Sequence, residues 1–281
     1  IHQWTKNILI FVPLIFAQQF TSPSIVLNSI MAFIVFGLCA SSIYILNDIL
    51  DIEDDRRHIT KKNRPIPSGK VSLASSFLFV PLLLATSFYL STKFLSMEFN
   101  ILLMSYFFIA VSYSFYLKSK VLVDVLILAC LYTLRIVSGT AAISEVYSFW
   151  LITFSIFIFL SLALIKRYAE LLKSQASSTK INIGRGYKLD DIGLLSSLGV
   201  SSGYISVLVL ALFINSSQLT QKYTSPELLW LLIPILIYWI SRVWMITYRG
   251  NMNDDPIVFA IKDKVSLYIG IIGLGIVLAA I

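Results

Sequence analysis

Between Ile25 and Leu46 the chain carries no charged side chain. Wound as an α-helix, such a run crosses the ~30 Å hydrocarbon core of a bilayer, and a buried helix of a soluble domain seldom needs so long an uncharged stretch. Eight further apolar runs follow or precede it. We place nine spans at Trp4–Phe20, Ile25–Leu50, Ala74–Ser91, Phe99–Leu117, Val121–Ala142, Phe149–Lys166, Leu194–Ile214, Pro226–Tyr248 and Ser266–Ile281. Hydrophobic residues make up 57% of the 281 and charged residues only 13%. A soluble domain averages about 25% charged residues, so the expected fold is an all-α polytopic membrane protein, one integral domain over residues 1–281.

The basic residues segregate between the two sets of loops. One side holds Lys6, then Arg56 to Lys70, Lys118 and Lys120, Lys166 to Lys188, and Arg249 to Lys264. The opposite loops hold only Lys93 and Lys222. By the positive-inside rule the polar loops and the N-terminus face the cytoplasm of a bacterial-type plasma membrane, and nine spans send the C-terminus outside. The net charge of +7 therefore marks orientation, with no nucleic-acid partner implied. Cys39 and Cys130 both lie in apolar runs, which excludes a disulfide framework or a thiolate metal site. No small-x-small cleavage site follows Lys6 and the first apolar run, so no signal peptide is expected.

Directly after the second span comes Asn47-Asp48-Ile49-Leu50-Asp51-Ile52-Glu53-Asp54-Asp55. On a continuing helix Asp48, Asp51 and Asp55 stand at i, i+3 and i+7, so their carboxylates share one face. Stacked carboxylates repel unless a cation sits among them. Hard oxygen donors with the Asn47 amide beside them suit Mg²⁺ shared with a substrate phosphate. An acidic helix end dissolved in water is the competing reading, and the dense basic segment that follows weighs against it. Arg56, Arg57, Lys61, Lys62 and Arg64 offer cations for free phosphate oxygens, and Pro65, Pro67 and Gly69 break the helix into a loop able to fold back. The same cations could instead anchor anionic lipid.

Other polar residues stand at span ends. Tyr113 and Lys118 close the fourth span, where belt residues are common. Asp124 and Arg135 lie three turns apart inside the fifth, and intramembrane ionisable groups must pair or face a polar cavity. We expect both to face the cavity of the acidic cluster, with ion pairs to neighbouring helices as the alternative. Lys166, Arg167 and Glu170 leave the sixth span, followed by Arg185, Gly186-Tyr187 and Asp190-Asp191; Lys166 and Glu170 could form a helical pair. Asp254 and Asp255 precede Pro256 and could cap the last helices.

The motif Asn47-Asp48-x-x-Asp51-x-x-x-Asp55, its place after the second span and the span count together resemble the UbiA superfamily of intramembrane prenyltransferases. Further segments are similar to its decaprenyl-phosphate phosphoribosyltransferase branch: Gln3-Trp4-Thr5-Lys6-Asn7, Lys61-Lys62-Asn63-Arg64-Pro65-Ile66, Tyr113-Ser114 with Leu117-Lys118, Leu134-Arg135 with Gly139, Lys166 to Glu170, Gly186-Tyr187 and Asp254-Asp255-Pro256. The resemblance implies a UbiA-like bundle, Mg²⁺ as cofactor, and phosphoribosyl pyrophosphate and a polyprenyl phosphate as substrates.

Asp48, Asp51 and Asp55 are then the catalytic and metal residues with Asn47 as a further ligand. The implied substrate contacts are Lys6, Arg57, Lys61, Arg64, Tyr113, Lys118, Arg135, Lys166, Arg167, Glu170, Arg185 and Tyr187. One departure from the superfamily stands out. Where users of prenyl diphosphates carry a second Asp-x-x-x-Asp, this chain has Lys166-Arg167-Tyr168-x-Glu170 and adjacent Asp190-Asp191. Two rival functions share parts of this pattern. Prenyl transfer from a diphosphate to an aromatic acceptor would use the same fold and metal, whereas a transporter of phosphorylated solutes would need polar residues in both halves of the membrane, and the outer half is nearly bare.

Overall fold

The computed structural model describes residues 4–57, 61–176, 186–216, 222–252 and 255–281, with the backbone alone at Asp54, Arg57, Lys61 and Ala176. The described residues are helical, with turns between, and contain no strand. Helix α1 covers Trp4–Phe16, in 3₁₀ geometry as far as Phe11. Then come α2 (Pro23–Leu50), α3 (Ile52–Arg57), α4 (Leu73–Phe94), α5 (Met97–Phe115), α6 (Val123–Ala142), α7 (Phe149–Ala176) and α8 (Ile192–Ile214). Helix α9 spans Pro226–Tyr248, and α10 (Pro256–Lys262) and α11 (Lys264–Ala280) complete the chain.

Seven of these helices are long and apolar enough to cross a membrane, and α10 with α11 makes an eighth if the pair, bent by 80°, counts as one span. The ninth expected span, α1, is apolar but short. This is the polytopic all-α fold that the charge-free runs require, because within lipid every backbone N–H and C=O must be satisfied inside its own helix.

The chain divides into two compact units. The first comprises Ile1–Tyr116 and Leu134–Val146, the second Leu117–Thr133 and Tyr147–Ile281, so the division falls inside α6. In the first unit α2 packs along α4, and the Ser87 hydroxyl donates to the Val35 carbonyl at 2.8 Å. Trp4 lies over Gly37, donates to Ser41 at 3.0 Å, and meets Phe33 edge-on. Gly139 on α6 sits against the Ile10 carbonyl, where a Cβ would stand only 2.2 Å from the oxygen. Small residues allow this approach where no water is present to drive helices together.

In the second unit α7 and α8 form the most extensive pair. Ser161 donates to the Gly199 carbonyl at 2.7 Å and accepts from the Trp244 indole at 3.1 Å, stitching α7, α8 and α9 together. The bend between α10 and α11 falls at Asp263, which accepts from the Ser266 N–H at 2.8 Å and so caps α11. Its two oxygens also take the Arg242 fork at 2.7 and 3.0 Å. The fork neutralises an arginine that lies within the last turns of α9.

Candidate functional site

In the first unit the acidic end of α2 keeps its helical register through a slight break. Asp51 closes α2, yet its N–H still donates to the Asn47 carbonyl at 2.9 Å, and the Asp55 N–H donates to the Asp51 carbonyl at 2.8 Å. The i, i+3, i+7 face therefore survives into α3. Asp55 is buried, while Asn47, Asp48 and Asp51 are half-buried.

The segment after α3 folds back onto this face. Ser68 N–H donates to the Arg64 carbonyl, Gly69 N–H to Ile66 and Val71 N–H to Pro65, and the Arg56 Nε holds the Pro67 carbonyl at 3.2 Å. Ile66 and Pro67 are buried, and Gly69 supplies a φ of +77° that closes the turn. From this turn Arg64 reaches back, and its Nη1 lies 2.9 Å from Asp48 Oδ1 and 2.8 Å from Asp55 Oδ2. One cationic nitrogen thus bridges two of the three carboxylates singled out from sequence.

Among the described residues no three or more His, Cys, Asp or Glu side chains close on a point as a ready metal cage. The donor set nevertheless fits Mg²⁺, which keeps several waters and is commonly held by one or two carboxylates with substrate phosphate completing the shell. Two carboxylates already converge on a cation here.

The same unit buries a second polar group. Arg135 on α6 donates from Nε to the Asn7 side-chain Oδ1 at 3.0 Å and from Nη2 to the Tyr106 hydroxyl at 2.8 Å. Its guanidinium also stands 4.9 Å from the Tyr106 ring centroid and 5.7 Å from that of Phe36. Lys6 on α1 is buried, and Tyr113 at the end of α5 is half-buried.

In the second unit Asp124 is fully buried and holds two partners: Arg167 Nε at 2.5 Å and the Tyr187 hydroxyl at 2.5 Å. Arg167 is buried as well and turns its Nη1 to Glu170, one helical turn on. Tyr187 accepts from the Leu122 N–H at 2.9 Å, and Gly186 before it, at φ +74°, packs on the Ser119 carbonyl. Burial above all, and then the Asp124 carboxylate that takes its hydrogen bond, push the Tyr187 phenol above its ordinary range, so its proton stays on.

Lys166 donates to Asp255 at 3.0 Å, while Asp255 accepts from the Ile257 N–H at 3.1 Å and caps α10. Both side chains line a small pocket together with Leu128, Tyr132, Leu162 and Ala163. Lys118 is half-buried in the 3₁₀ turn Leu117–Ser119.

Several expectations change in detail. The helical pair Lys166–Glu170 does not form; the two residues turn to Asp255 and Arg167 instead. Asp124 and Arg135 have separate partner sets, and for Asp124 the ion pair to a neighbouring helix holds. Asp191 accepts from the Lys188 N–H at 2.8 Å and so caps a helix start. Arg185 lies outside the described residues, as do the side chains of Arg57 and Lys61. Asn7, Tyr106 and Asp255 complete networks that sequence reasoning did not assign to the site. Asn7 beside Lys6 in an apolar run was a readable signal, whereas nothing local marks Tyr106.

The UbiA prenyltransferase family profile matches residues 8–268. The Sinorhizobium fredii protein y4nM is 37% identical over 96% of this chain, which spans about half (52%) of that protein's length. The Azorhizobium caulinodans nodulation protein NoeC is 32% identical over 98% of this chain and 89% of its own. A decaprenyl-phosphate phosphoribosyltransferase of Mycolicibacterium smegmatis is 26% identical over 99% and 89%. Among solved structures, the UbiA homolog from Archaeoglobus fulgidus bound to DMAPP and Mg²⁺ superposes with a TM-score of 0.66 at 15% identity, covering 99% of this chain and 96% of that one.

Proposed function

The chain belongs to the UbiA prenyltransferase family, and from that footing we propose that it is a phosphoribosyltransferase. Polyprenyl phosphate and phosphoribosyl pyrophosphate would give polyprenyl-phosphoryl-5-phosphoribose and diphosphate. The lipid phosphate oxygen bonds to the anomeric carbon as the carbon–diphosphate bond breaks on the opposite face, inverting the configuration. The nucleophile is already an anion, so no side chain need act as general base.

The observation that carries this reading is the unequal chemistry of the two polar clusters. One cluster presents converging carboxylates. Where the superfamily's prenyl-diphosphate users place a second acidic motif, Glu170 is engaged with Arg167 and Asp191 caps a helix. One carboxylate cluster suits a donor with a single metal-bound diphosphate, and the spare cations suit its separate 5-phosphate. The named relationship to decaprenyl-phosphate phosphoribosyltransferases supports the same choice.

Asp48, Asp51 and Asp55, with Asn47, are assigned to the divalent cation; bound there, it would neutralise the departing diphosphate. Arg57, Lys61 and Arg64 are assigned to the remaining diphosphate oxygens. Lys6, Tyr113, Lys118, Lys166 and Arg185 are assigned to the 5-phosphate and the lipid phosphate. Arg135, Arg167, Glu170 and Tyr187 act by positioning, because the structure buries Arg135, Arg167 and Tyr187 and commits all four to other protein groups.

The competing reading, prenyl transfer to an aromatic acceptor, draws on the family's own chemistry and on the DMAPP in the Archaeoglobus structure. Purified protein supplied with radiolabelled phosphoribosyl pyrophosphate and a polyprenyl phosphate separates the two. Labelled lipid is the expected product. Turnover of a prenyl diphosphate with no labelled lipid would overturn the assignment.

A further inference from the structure

Arg64 does something in this structure that an oxygen-lined cation site would not tolerate once filled. A single nitrogen, Nη1, sits between Asp48 and Asp55 at 2.9 and 2.8 Å, in the place a metal ion shared by those carboxylates would take. Both cations cannot occupy that position together.

The way Arg64 is held favours exchange. Its backbone is fixed by the turn that Ser68, Gly69 and Val71 close and that Arg56 pins through Pro67. Its side chain is 41% exposed, whereas that of Asp55 is 3% exposed. A fixed Cα under a long, half-solvated side chain gives a cation that can leave one anion and meet another without moving the loop. One nitrogen bridging two carboxylates is also a weaker grip than the parallel two-bond fork of a bidentate pair, such as the one Arg242 makes on Asp263.

We propose that Arg64 is an exchangeable counter-ion for the carboxylate cluster. It neutralises Asp48 and Asp55 while metal and donor are absent, and it transfers to a diphosphate oxygen when they arrive. This rests on the metal assignment made above. Charge dictates the direction of the exchange. Three carboxylates with one divalent cation remain net negative and repel a diphosphate, and a released guanidinium beside them offsets that repulsion.

The metal alone must displace Arg64 from its carboxylates into water, whereas metal and diphosphate together supply it a new anionic partner. Metal and diphosphate therefore bind cooperatively, and by linkage each tightens the other by the same factor. Arg64 is then a residue that makes the protein select the metal–diphosphate complex over the free ion.

Mn²⁺, as an EPR-visible stand-in for Mg²⁺, tests this on the full chain in detergent, with and without inorganic pyrophosphate. In the wild type Mn²⁺ alone should bind weakly and pyrophosphate should tighten it. Arg64→Gln should tighten Mn²⁺ alone by about tenfold, since an intramolecular competitor is gone, and should shrink the gain produced by pyrophosphate. Wild-type binding of Mn²⁺ with an equal or weaker affinity in Arg64→Gln overturns the counter-ion role and leaves the metal site standing. No Mn²⁺ binding by either protein in either condition overturns the metal assignment and the inference together. Should Arg64→Gln not fold, Arg64→Lys decides. Because one nitrogen makes the bridge, a lysine ammonium can still span the two carboxylates, so Arg64→Lys should keep Mn²⁺ alone weak and keep the gain from pyrophosphate, and Mn²⁺ alone bound about tenfold more tightly by Arg64→Lys than by the wild type refutes the proposal.

Discussion

Asp51 stands where α2 gives way to α3, half-buried, at the centre of the carboxylate register. If the proposed function holds, Asp51→Ala should lower phosphoribosyl transfer by on the order of a hundredfold or more, because it would remove one of few oxygen donors from the proposed metal site. Its circular dichroism and melting temperature should match the wild type, a half-exposed helix end contributing within about 0.5 kcal/mol. Retained turnover would remove the metal role.

Asp124 presents the opposite case. Its removal takes from the buried Arg167 guanidinium its fully buried carboxylate partner and leaves it the more exposed Glu170, and losing one partner of a buried pair costs about 3–5 kcal/mol. Asp124→Ala should lower the melting temperature by roughly 10 °C, and Asp124→Leu with Arg167→Met should recover most of that loss. An undiminished Tm in the single variant would contradict the network.

Tyr187 adds a pH statement at the same scale. A phenol raised in the folded state contributes stability that is complete below its unfolded pKa of about 10 and fades only above it. The stability gap between wild type and Tyr187→Phe should therefore stay constant from pH 7 to 9 in thermal melts. A gap that narrows over that window would show the phenol ionising early.

At the level of elements, the helices meet through glycines whose neighbours differ sharply. A Cβ on Gly139 would stand 2.2 Å from the Ile10 carbonyl oxygen, a backbone atom that cannot yield, whereas one on Gly275 would meet open space. Gly139→Ala should thus cost about 1–3 kcal/mol through overpacking and Gly275→Ala essentially nothing, as read by melting temperature. Equal melts for the two would deny the close packing of α1 on α6.

Element ends were less legible than elements. The sixth span was expected to stop at Lys166, yet α7 runs on to Ala176. Hydropathy marks where a helix leaves the membrane, and Ala169-Glu170-Leu171-Leu172-Lys173 is good helix-forming sequence beyond that point. The first span gave no warning of 3₁₀ winding, and the Arg242 fork that Asp263 takes at the bend joins residues 21 positions apart.

For the molecule as a whole, the charge asymmetry of the loops predicts which side each faces. In a background with Cys39 and Cys130 replaced by alanine, Lys70→Cys should react with a membrane-impermeant maleimide only in inside-out vesicles. Lys93→Cys should react in intact, right-side-out cells. The reverse pattern would invert the cytoplasmic placement of the acidic cluster.

Two things were fixed by the order of residues alone: the helices that can live in lipid, and the shared face of Asp48, Asp51 and Asp55. Both follow from local physics, since transfer of an uncharged run into hydrocarbon and a period of 3.6 residues depend only on near neighbours. Which cation meets which carboxylate was decided by the tertiary structure. Arg64 returns to Asp48 across 16 positions, Arg167 finds Asp124 across 43 and Lys166 finds Asp255 across 89. A charge finds its partner by what packing brings within about 3 Å of it, and no local pattern in the chain encodes that distance.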